Sequence, residues 1–401
     1  ESVSVLKDAA SASIYGARAA FGVILVKTKE GKAGKPIVSY GVNVRFSDAL
    51  CVPEMLDSYR FAQYFNRGSE NVGEGAIFSA ESMQRIKDYM DGKITTTTTA
   101  NPNNHHWNAY GGANANTDWF KEFYDDWVPS QDHNLSISGG NEKTQYSISG
   151  SFLDQNGLLR HGSDTFQRYT VNGRITTQVF DWLRVSYSTK WTREDFERPS
   201  YLTGLFFHNI ARRWPTCPAY DPNGYPLDGM EIIQLEDGGK QKNQKDLNTQ
   251  QIQFVFEPIK NWKINVEGSL RTTNTNEHWD VLPIYAHNEY GEPYGVQWGD
   301  YPIGSSKVNE YAYKENYYST NIYSDYFKQF DSGHYFKVML GFNSELYKTR
   351  NVSGKKHIDY SYRTYNQYCY RKPERIGRLR RKCSRRFLWT YQLQLQRSLH
   401  G

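Results

Sequence analysis

The sequence predicts an all-β fold, an antiparallel transmembrane β-barrel. Three observations carry this expectation: a two-residue apolar period that recurs in nine segments, connections that alternate long and short, and an aromatic-rich composition of low hydropathy. Mean hydropathy is −0.76, and no stretch approaches the roughly 18 apolar residues that a membrane-crossing helix requires. A barrel strand turns only alternate residues to lipid, so its average hydropathy stays low. The 31 Tyr, 20 Phe and 10 Trp suit half-buried strands and interfacial girdles. A soluble, glycan-binding β-sandwich would share that composition and stands as the rival reading.

From residue 36 the period is 2. Val38, Tyr40, Val42, Val44 and Phe46 alternate with small or polar residues. The pattern returns at Leu135/Ile137, at Tyr146/Ile148/Phe152, at Tyr169/Val171/Ile175 and at Leu183/Val185/Tyr187/Trp191. It continues at Ile252/Phe254/Phe256, Trp262/Ile264/Val266/Leu270, Tyr318/Ile322/Tyr326 and Phe336/Val338/Leu340/Phe342. Several of these segments approach the roughly 9–11 residues that span a bilayer when tilted. The connections discriminate better than the strands. Segments 48–130, 154–165, 194–249 and 274–314 are long or medium, and each is followed by a short turn, at Gly139–Glu142, Gln178–Asp181, Pro258–Asn261 and Asp331–Gly333. Outer-membrane barrels show this parity, with short periplasmic turns and longer extracellular loops. A sandwich has no reason to keep it. Within the first long connection, a helix is expected around Ser82–Tyr89.

The net charge of +5 does not mark a nucleic-acid binder. Residues 357–401 hold 11 Lys/Arg against 2 Asp/Glu, which leaves 37 basic and 41 acidic residues in the remainder. Four cysteines, Cys51, Cys217, Cys369 and Cys383, are too few and too scattered for a disulfide framework, and no metal-binding spacing occurs. Glu1-Ser2-Val3 carries neither a basic n-region nor an apolar h-region, and a chain that starts in mid-pattern reads as truncated.

Residues 1–30 differ from the rest of the chain. Val3, Val5 and Leu6 predict a short strand, Lys7–Tyr15 a short helix beginning near Asp8, and Gly16–Gly22 a tight turn of small residues. Val23-Ile24-Leu25-Val26 is a continuous apolar run suited to a strand buried on both faces. The stretch from Ser4 to Lys29, with its Leu6-Lys7-Asp8-Ala9-Ala10-Ser11-Ala12 and Ile14-Tyr15-Gly16-Ala17-Arg18-Ala19-Ala20-Phe21-Gly22-Val23-Ile24 phrases, closely resembles the end of the plug domain in SusC/RagA-type TonB-dependent transporters. The match runs nearly unbroken over about 30 residues, with Phe21 standing where the family usually has Asn. Gln145–Ser151 and Lys337–Asn343 resemble the family's barrel strands more loosely.

The resemblance implies a plug signature of Leu6, Lys7, Asp8, Ala9, Ser11, Tyr15, Gly16, Arg18, Ala19, Gly22 and Val23. Its role is expected to be structural. The glycines permit close backbone packing in a crowded lumen, and Lys7, Asp8 and Arg18 are expected to join a fixed plug–barrel network. The chain is thus expected to divide into three regions: the end of a plug over 1–30, the first part of the barrel over 31–356, and a tail over 357–401.

The tail breaks the pattern. Alternation stops after Lys356, Arg371 to Arg386 is strongly basic, and Tyr391–Gln396 is a low-complexity run. Suitable codons for Trp389–His400, read from their second base, encode GRINYNYKDRYM, which has the character of the family's next strand and turn. The tail is therefore expected to be out of frame and not a domain.

No hydrolase elbow, zinc-protease, Walker A or calcium-loop motif occurs. His105-His106 on an Asn-rich loop is expected to be merely solvated, Asp221-Pro222-Asn223-Gly224 to form a turn, and Glu236 and Asp237 to belong to a charged outer face. Loop aromatics, above all Trp107, Trp214 and Trp298, and also Trp119, Phe120, Tyr201, Tyr290 and Tyr294, could stack on sugar rings or anchor loop packing; both readings stand. The resemblance implies TonB-dependent import of an oligosaccharide or peptide, with a SusD-like lipoprotein outside, TonB–ExbB–ExbD inside, and outer-membrane lipid around the barrel. It implies no enzymatic activity, cofactor or nucleic acid. Two rivals remain: a soluble all-β carbohydrate-binding or degrading protein, and a non-functional frameshifted product.

Overall fold

The computed structural model describes residues 2–7, 22–27, 31–330, 334–357 and 384–390. Near the N-terminus, β1 (Ser2–Leu6) pairs antiparallel with β2 (Val23–Lys27), with Leu6 opposite Val23. Gly22 enters β2 at φ +92°, and a Cβ there would press within 3.2 Å of the Leu6 carbonyl oxygen, so glycine is needed at this turn. The expected burial of β2 on both faces is not seen: Ile24 is 68% and Val26 67% exposed. A two-stranded ribbon cannot cover its own faces. Of the plug signature, Leu6, Lys7, Gly22 and Val23 are described. Asp8, Ala9, Ser11, Tyr15, Gly16, Arg18 and Ala19 lie outside the described residues, as do the helix expected from Asp8 and most of the 357–401 tail.

The body of the chain is one antiparallel sheet. Its strands are β3 (Gly34–Ser47), β4 (Val128–Gly140), β5 (Thr144–Asn156), β6 (Thr165–Phe180), β7 (Leu183–Pro199), β8 (Lys240–Ile259) and β9 (Trp262–Val281). A small hairpin, β10 (Ile284–His287) with β11 (Pro293–Val296), interrupts the series before β12 (Lys307–Gln329) and β13 (Tyr335–His357). All nine expected strands are present, and sequence neighbours pair in order as a meander. A further strand, β14 (Ser384–Thr390), pairs with residues 341–347 of β13.

Register explains how alternation becomes a membrane surface. Directly opposed residues share a face of the sheet. Tyr40 lies opposite Leu135, Ile137 opposite Ile148, Phe152 opposite Tyr169, Ile175 opposite Tyr187, and Tyr187 opposite Ile252. Phe254 then meets Val266, Val266 meets Ile322, and Ile322 meets Phe342. The apolar set of every strand thus falls on one face. The other face is polar: Asn172 donates to Ser149 at 3.2 Å, Thr176 and Ser186 are 3.0 Å apart, and Asn343 donates to Asn321. At the short-turn end, Phe180, Trp182 and Phe256 stack in series at 5.3 and 6.2 Å, and the Trp262 indole donates to Ser324 at 2.8 Å. This row forms the aromatic girdle of a membrane interface.

The strands are longer than alternation predicts. β7 runs to Pro199 and β8 starts at Lys240, so the expected 194–249 connection shrinks to 200–239, and 274–314 shrinks to 282–306. The reason is a change of solvent. Beyond the bilayer both faces are wet, the apolar period vanishes, and cross-strand polar pairs hold the ribbon. Arg193 makes a two-pronged contact with Asp246 at 2.9 and 2.8 Å, Gln244 donates to Asp195 at 2.9 Å, and Glu197 meets Lys240 and Lys242 at 2.6 and 3.0 Å.

Candidate functional site

Three long connections, 48–127, 200–239 and 282–306, leave the same end of the sheet and fold together. Loops of this length are ordinarily mobile, but these share a core. The first contributes Trp119 and Phe123, the second Phe206, Ile210, Met230 and Ile232, and the third Ile284 and Trp298. Local chemistry sets the helices that present them. Asp57 caps α1 (Ser58–Asn71) through the Arg60 amide at 2.9 Å, and Ser79 caps α2 (Ala80–Met90) through the Ser82 amide at 3.1 Å. The α2 helix is the one expected at Ser82–Tyr89; α1 has no equally clear signal in the sequence. Asp118 caps α3 (Trp119–Phe123) and Thr203 caps α4 (Gly204–Ile210), while α5 (Ile232–Glu236) has no side-chain cap.

Backbone bonds tie the connections to one another. The Ala115 and Thr117 amides donate to the Thr216 and Pro215 carbonyls at 2.9 Å each, and Leu282 donates to Gly238 at 3.1 Å. A second, smaller core of Ala62, Phe78 and Ile86 lies under α1 and α2. Trp214 joins the two cores. The rings of Phe61, Phe65, Phe78 and Tyr110 stand 4.4–5.4 Å from its ring, and its carbonyl accepts from the Trp119 indole at 2.9 Å.

Beside Trp214 opens a cavity of about 660 Å³, within the usual range for ligand pockets. Arg213, only 9% exposed, donates through Nη2 to Oε1 of Glu231, which is 2% exposed, and through Nη1 to the Tyr110 hydroxyl at 2.9 Å. Tyr201 forms part of the lining, its hydroxyl accepting from Asn209 at 3.2 Å. Burial, reinforced by the Glu231 charge, pushes its phenol up to about 12, and the Asn209 contact opposes this. Burial likewise lifts the Cys217 thiol to about 11, which marks an inert, structural cysteine.

The expected loop aromatics divide between the two roles. Trp214 and Tyr201 line the cavity, whereas Trp298 is packed in the core between Tyr201 and Tyr301, each ring 5.3 Å away. Trp107 packs partly buried against the same core, and Trp119 is fully buried. Tyr290 is exposed and Tyr294 stacks on His106 at 3.7 Å. The histidine pair is therefore engaged with the third connection as well as with solvent, since His105 lies 2.5 Å from Glu289. Among the described residues, no group of three metal-ligating side chains converges. The Asp221 turn forms as expected, its carboxylate accepting from the Asn223 and Tyr225 amides at 2.8 and 2.9 Å. Glu236 is not simply part of a charged surface: it contacts His161 at 2.8 Å, and Glu122 contacts the other ring nitrogen at 3.1 Å. Arg213, Glu231 and Gln234 are not among the residues that the sequence singles out. The available signal is a lone Glu within the apolar run Met230-Glu231-Ile232-Ile233.

A sheet apolar on one face and polar on the other, with a girdle at its short turns and an ordered cap over its long connections, is the wall of an outer-membrane β-barrel. Comparison with known proteins agrees. No family model matches the sequence. The chain is 26% identical to TonB-dependent receptor SusC of Bacteroides thetaiotaomicron over 365 residues, 85% of this chain and 32% of that receptor. It is 28% identical to TonB-dependent receptor P3 of Formosa agariphila over 178 residues, 44% of this chain and 14% of that one. Among solved structures, the RagAB peptide importer in its closed-closed state superposes with a TM-score of 0.71 at 18% identity, covering 96% of this chain and 43% of that one. In the open-open state the score is 0.69 at 19% identity, with 96% and 42% covered. The chain spans about a third of the length of SusC. The chain is similar to TonB-dependent receptors of the SusC/RagA type, and its sheet is that of an outer-membrane barrel wall. The relatives are receptors and importers by name, not enzymes.

Proposed function

We propose that this chain serves the TonB-dependent import of an oligosaccharide or a peptide across the outer membrane, beneath a SusD-like lipoprotein lid and driven by TonB–ExbB–ExbD. The observation that carries the reading is the ordered cap of three connections on a barrel wall whose inner face is polar. The physical logic is that a barrel of roughly 22 strands encloses a lumen wide enough to need a plug. Energy must reach that plug from the inner membrane, because the outer membrane holds no gradient of its own. The test is growth or uptake on defined oligosaccharides and peptides by cells with and without this gene and with and without TonB. Uptake that survives loss of either would overturn the reading.

The proposal extends to organisation: the end of a plug over 1–30, barrel wall over 31–356, and an out-of-frame tail over 357–401. The abrupt change to a basic composition supports the last of these. Sequencing genomic DNA through codons 350–401 tests it, and a tail encoded in frame in the functional gene would refute it. The soluble all-β reading is disfavoured by the continuous exposed apolar face, with Val171, Ile252 and Ile322 among its members.

A further inference from the structure

Register sorts the lipid-facing side of β9, β12 and β13 into rows. The apolar set begins at the girdle with Trp262/Tyr326/Val338 and ends with Leu270/Tyr318/Leu346. The next two rows are Thr272/Asn316/Lys348 and Asn274/Lys314/Arg350. Between the Trp262 and Thr272 rows the strand advances about 34 Å at roughly 3.4 Å per residue. A tilt of about 40° turns this into about 26 Å along the membrane normal, close to the roughly 25 Å height of an apolar band. Lys348, Lys314 and Arg350 therefore stand at the outer headgroups, and all three are exposed. Lys314 and Arg350 are directly opposed, an arrangement in which like charges repel. Lys348 is the next residue along the same face of β13, its ammonium 5.8 Å from the Tyr318 ring at the top of the apolar band.

Among the described residues, no carboxylate lies within ion-pair distance of any of these three cations. Glu315 is on the other face, where it holds Arg271 at 3.1 Å, and Glu310, two rows further out, is taken by His278 at 2.6 Å. The outer rim is not basic throughout. On β4–β6 the row above the His133, Phe152 and Tyr169 rings is Gln131, Asp154 and Gln167, with both amides on the Asp154 carboxylate at 3.4 and 3.1 Å. Snorkelling to water suits a lone Lys at an interface, but it gives no reason to set three cations together.

We propose that Lys314, Lys348 and Arg350 form a binding site for the phosphate monoester headgroup of a lipid in the outer leaflet. The inference concerns the lipid-facing surface and does not depend on what is imported. Charge selects the headgroup: a phosphate monoester carries about −1.5 to −2 at neutral pH and offers three acceptor oxygens, whereas a diester lipid brings a single charge. Arg adds a planar fork suited to two phosphate oxygens. Asn274 and Asn316 flank the cations, and Asn316 accepts from Thr272 at 3.2 Å, which leaves its amide nitrogen to donate. The apolar rows directly below, ending in Leu270, Tyr318 and Leu346, receive the acyl chains of the same molecule. A free phosphate has no use for those rows.

The test is native mass spectrometry of the receptor, purified in detergent at the length the cell makes it and titrated with five probes. These are monophosphoryl lipid A, the same lipid with its phosphate removed, phosphatidylglycerol, phosphatidylcholine and inorganic phosphate. Monophosphoryl lipid A is expected to bind about tenfold or more tightly than any of the others. Lys314→Gln, Lys348→Gln and Arg350→Gln should each weaken that binding about fivefold, and the triple variant roughly a hundredfold. Lys242→Gln removes an exposed cation from the same outer face that is already paired with Glu197 at 3.0 Å, and should leave binding unchanged. All four positions are exposed, and heat-modifiable migration checks that each variant is folded. Equal binding of phosphatidylglycerol would mean diffuse attraction to an anionic surface and would overturn the proposal. So would equal binding of the dephosphorylated lipid, of phosphatidylcholine or of inorganic phosphate, or a triple variant that binds like the wild type. The titration involves neither TonB nor an imported substrate, so its failure and that of the import reading are distinguishable.

Discussion

The Arg213–Glu231 pair is the most consequential buried feature of the cap, and its energetics can be worked out from its surroundings. Replacing Glu231 with Leu leaves the guanidinium, 9% exposed, with only the Tyr110 hydroxyl as acceptor. Replacing Arg213 with Met leaves a carboxylate that is 2% exposed. Breaking a buried pair from either side costs about 3–5 kcal/mol, because an uncompensated charge stays behind. Replacing both with apolar side chains of similar volume is neutral or stabilising, by up to about 4 kcal/mol. The double variant should therefore be no less stable than the wild type, with a coupling of at least about 6 kcal/mol between the two sites. The assay is urea-dependent proteolysis of the 200–239 connection in detergent-held protein, with heat-modifiable migration as the control that the barrel is intact. Single variants within about 0.5 kcal/mol of wild type would refute the reasoning. So would a double variant whose destabilisation is the sum of the two singles.

The sheet and the cap yield three further expected outcomes. Val171 and Asn172 are adjacent on β6 but face lipid and lumen respectively; Val171→Arg should cost roughly 2–4 kcal/mol of barrel stability near mid-membrane while Asn172→Arg costs little, as read from the folded fraction in urea on unheated gels. Gly238→Ala should destabilise the cap by about 1–3 kcal/mol in the proteolysis assay, because a Cβ there would overlap the Trp298 indole and the Gln234 carbonyl. Tyr201, raised to about 12 in the folded protein, contributes stability that is fully present below pH 10 and lost as pH rises through about 12. This amounts to about 3 kcal/mol at most, and Tyr201→Phe should flatten that alkaline slope in phenol absorbance and proteolysis.

The legible parts of the chain are set by where the solvent changes. Between Val38 and Phe342 every membrane-facing strand announces itself, because lipid demands an apolar residue at alternate positions and the lumen does not. The same demand ends at the headgroups, so the polar ribbons beyond Trp191 and before Thr249 read as loop, although Arg193–Asp246 and Glu197–Lys240 pair them as firmly as any strand. The α2 helix is visible through its Ser79 cap and apolar spacing. The α1 helix carries Tyr59, Phe61 and Phe65 to a core that no local window reveals. Trp214 stands level with Trp107 and Trp298 in the sequence, since its special position arises from α1, α2 and the 200–239 connection meeting in space. Glu231 and Gln234 face a cavity only because α5 packs against residues more than sixty positions away, near Gln297.

The length of the outer ribbons and the core of the cap are parts of one design. β8 and β9 have 20 residues each and β12 and β13 have 23, about twice what a tilted strand needs to cross the bilayer. The excess raises the 200–239 and 282–306 connections above the lipid on stiff, cross-paired supports, where they can fold against the 48–127 connection instead of lying along the headgroups. Folding there carries the entropic cost of ordering residues 200–239 before any ligand arrives. Arg213 is thereby held by Tyr110 and Glu231, and Tyr201 by Asn209. The lipid-facing alternation and the buried polar cluster thus serve separate ends through one sheet: the first anchors the ribbons, and the second uses their rigidity.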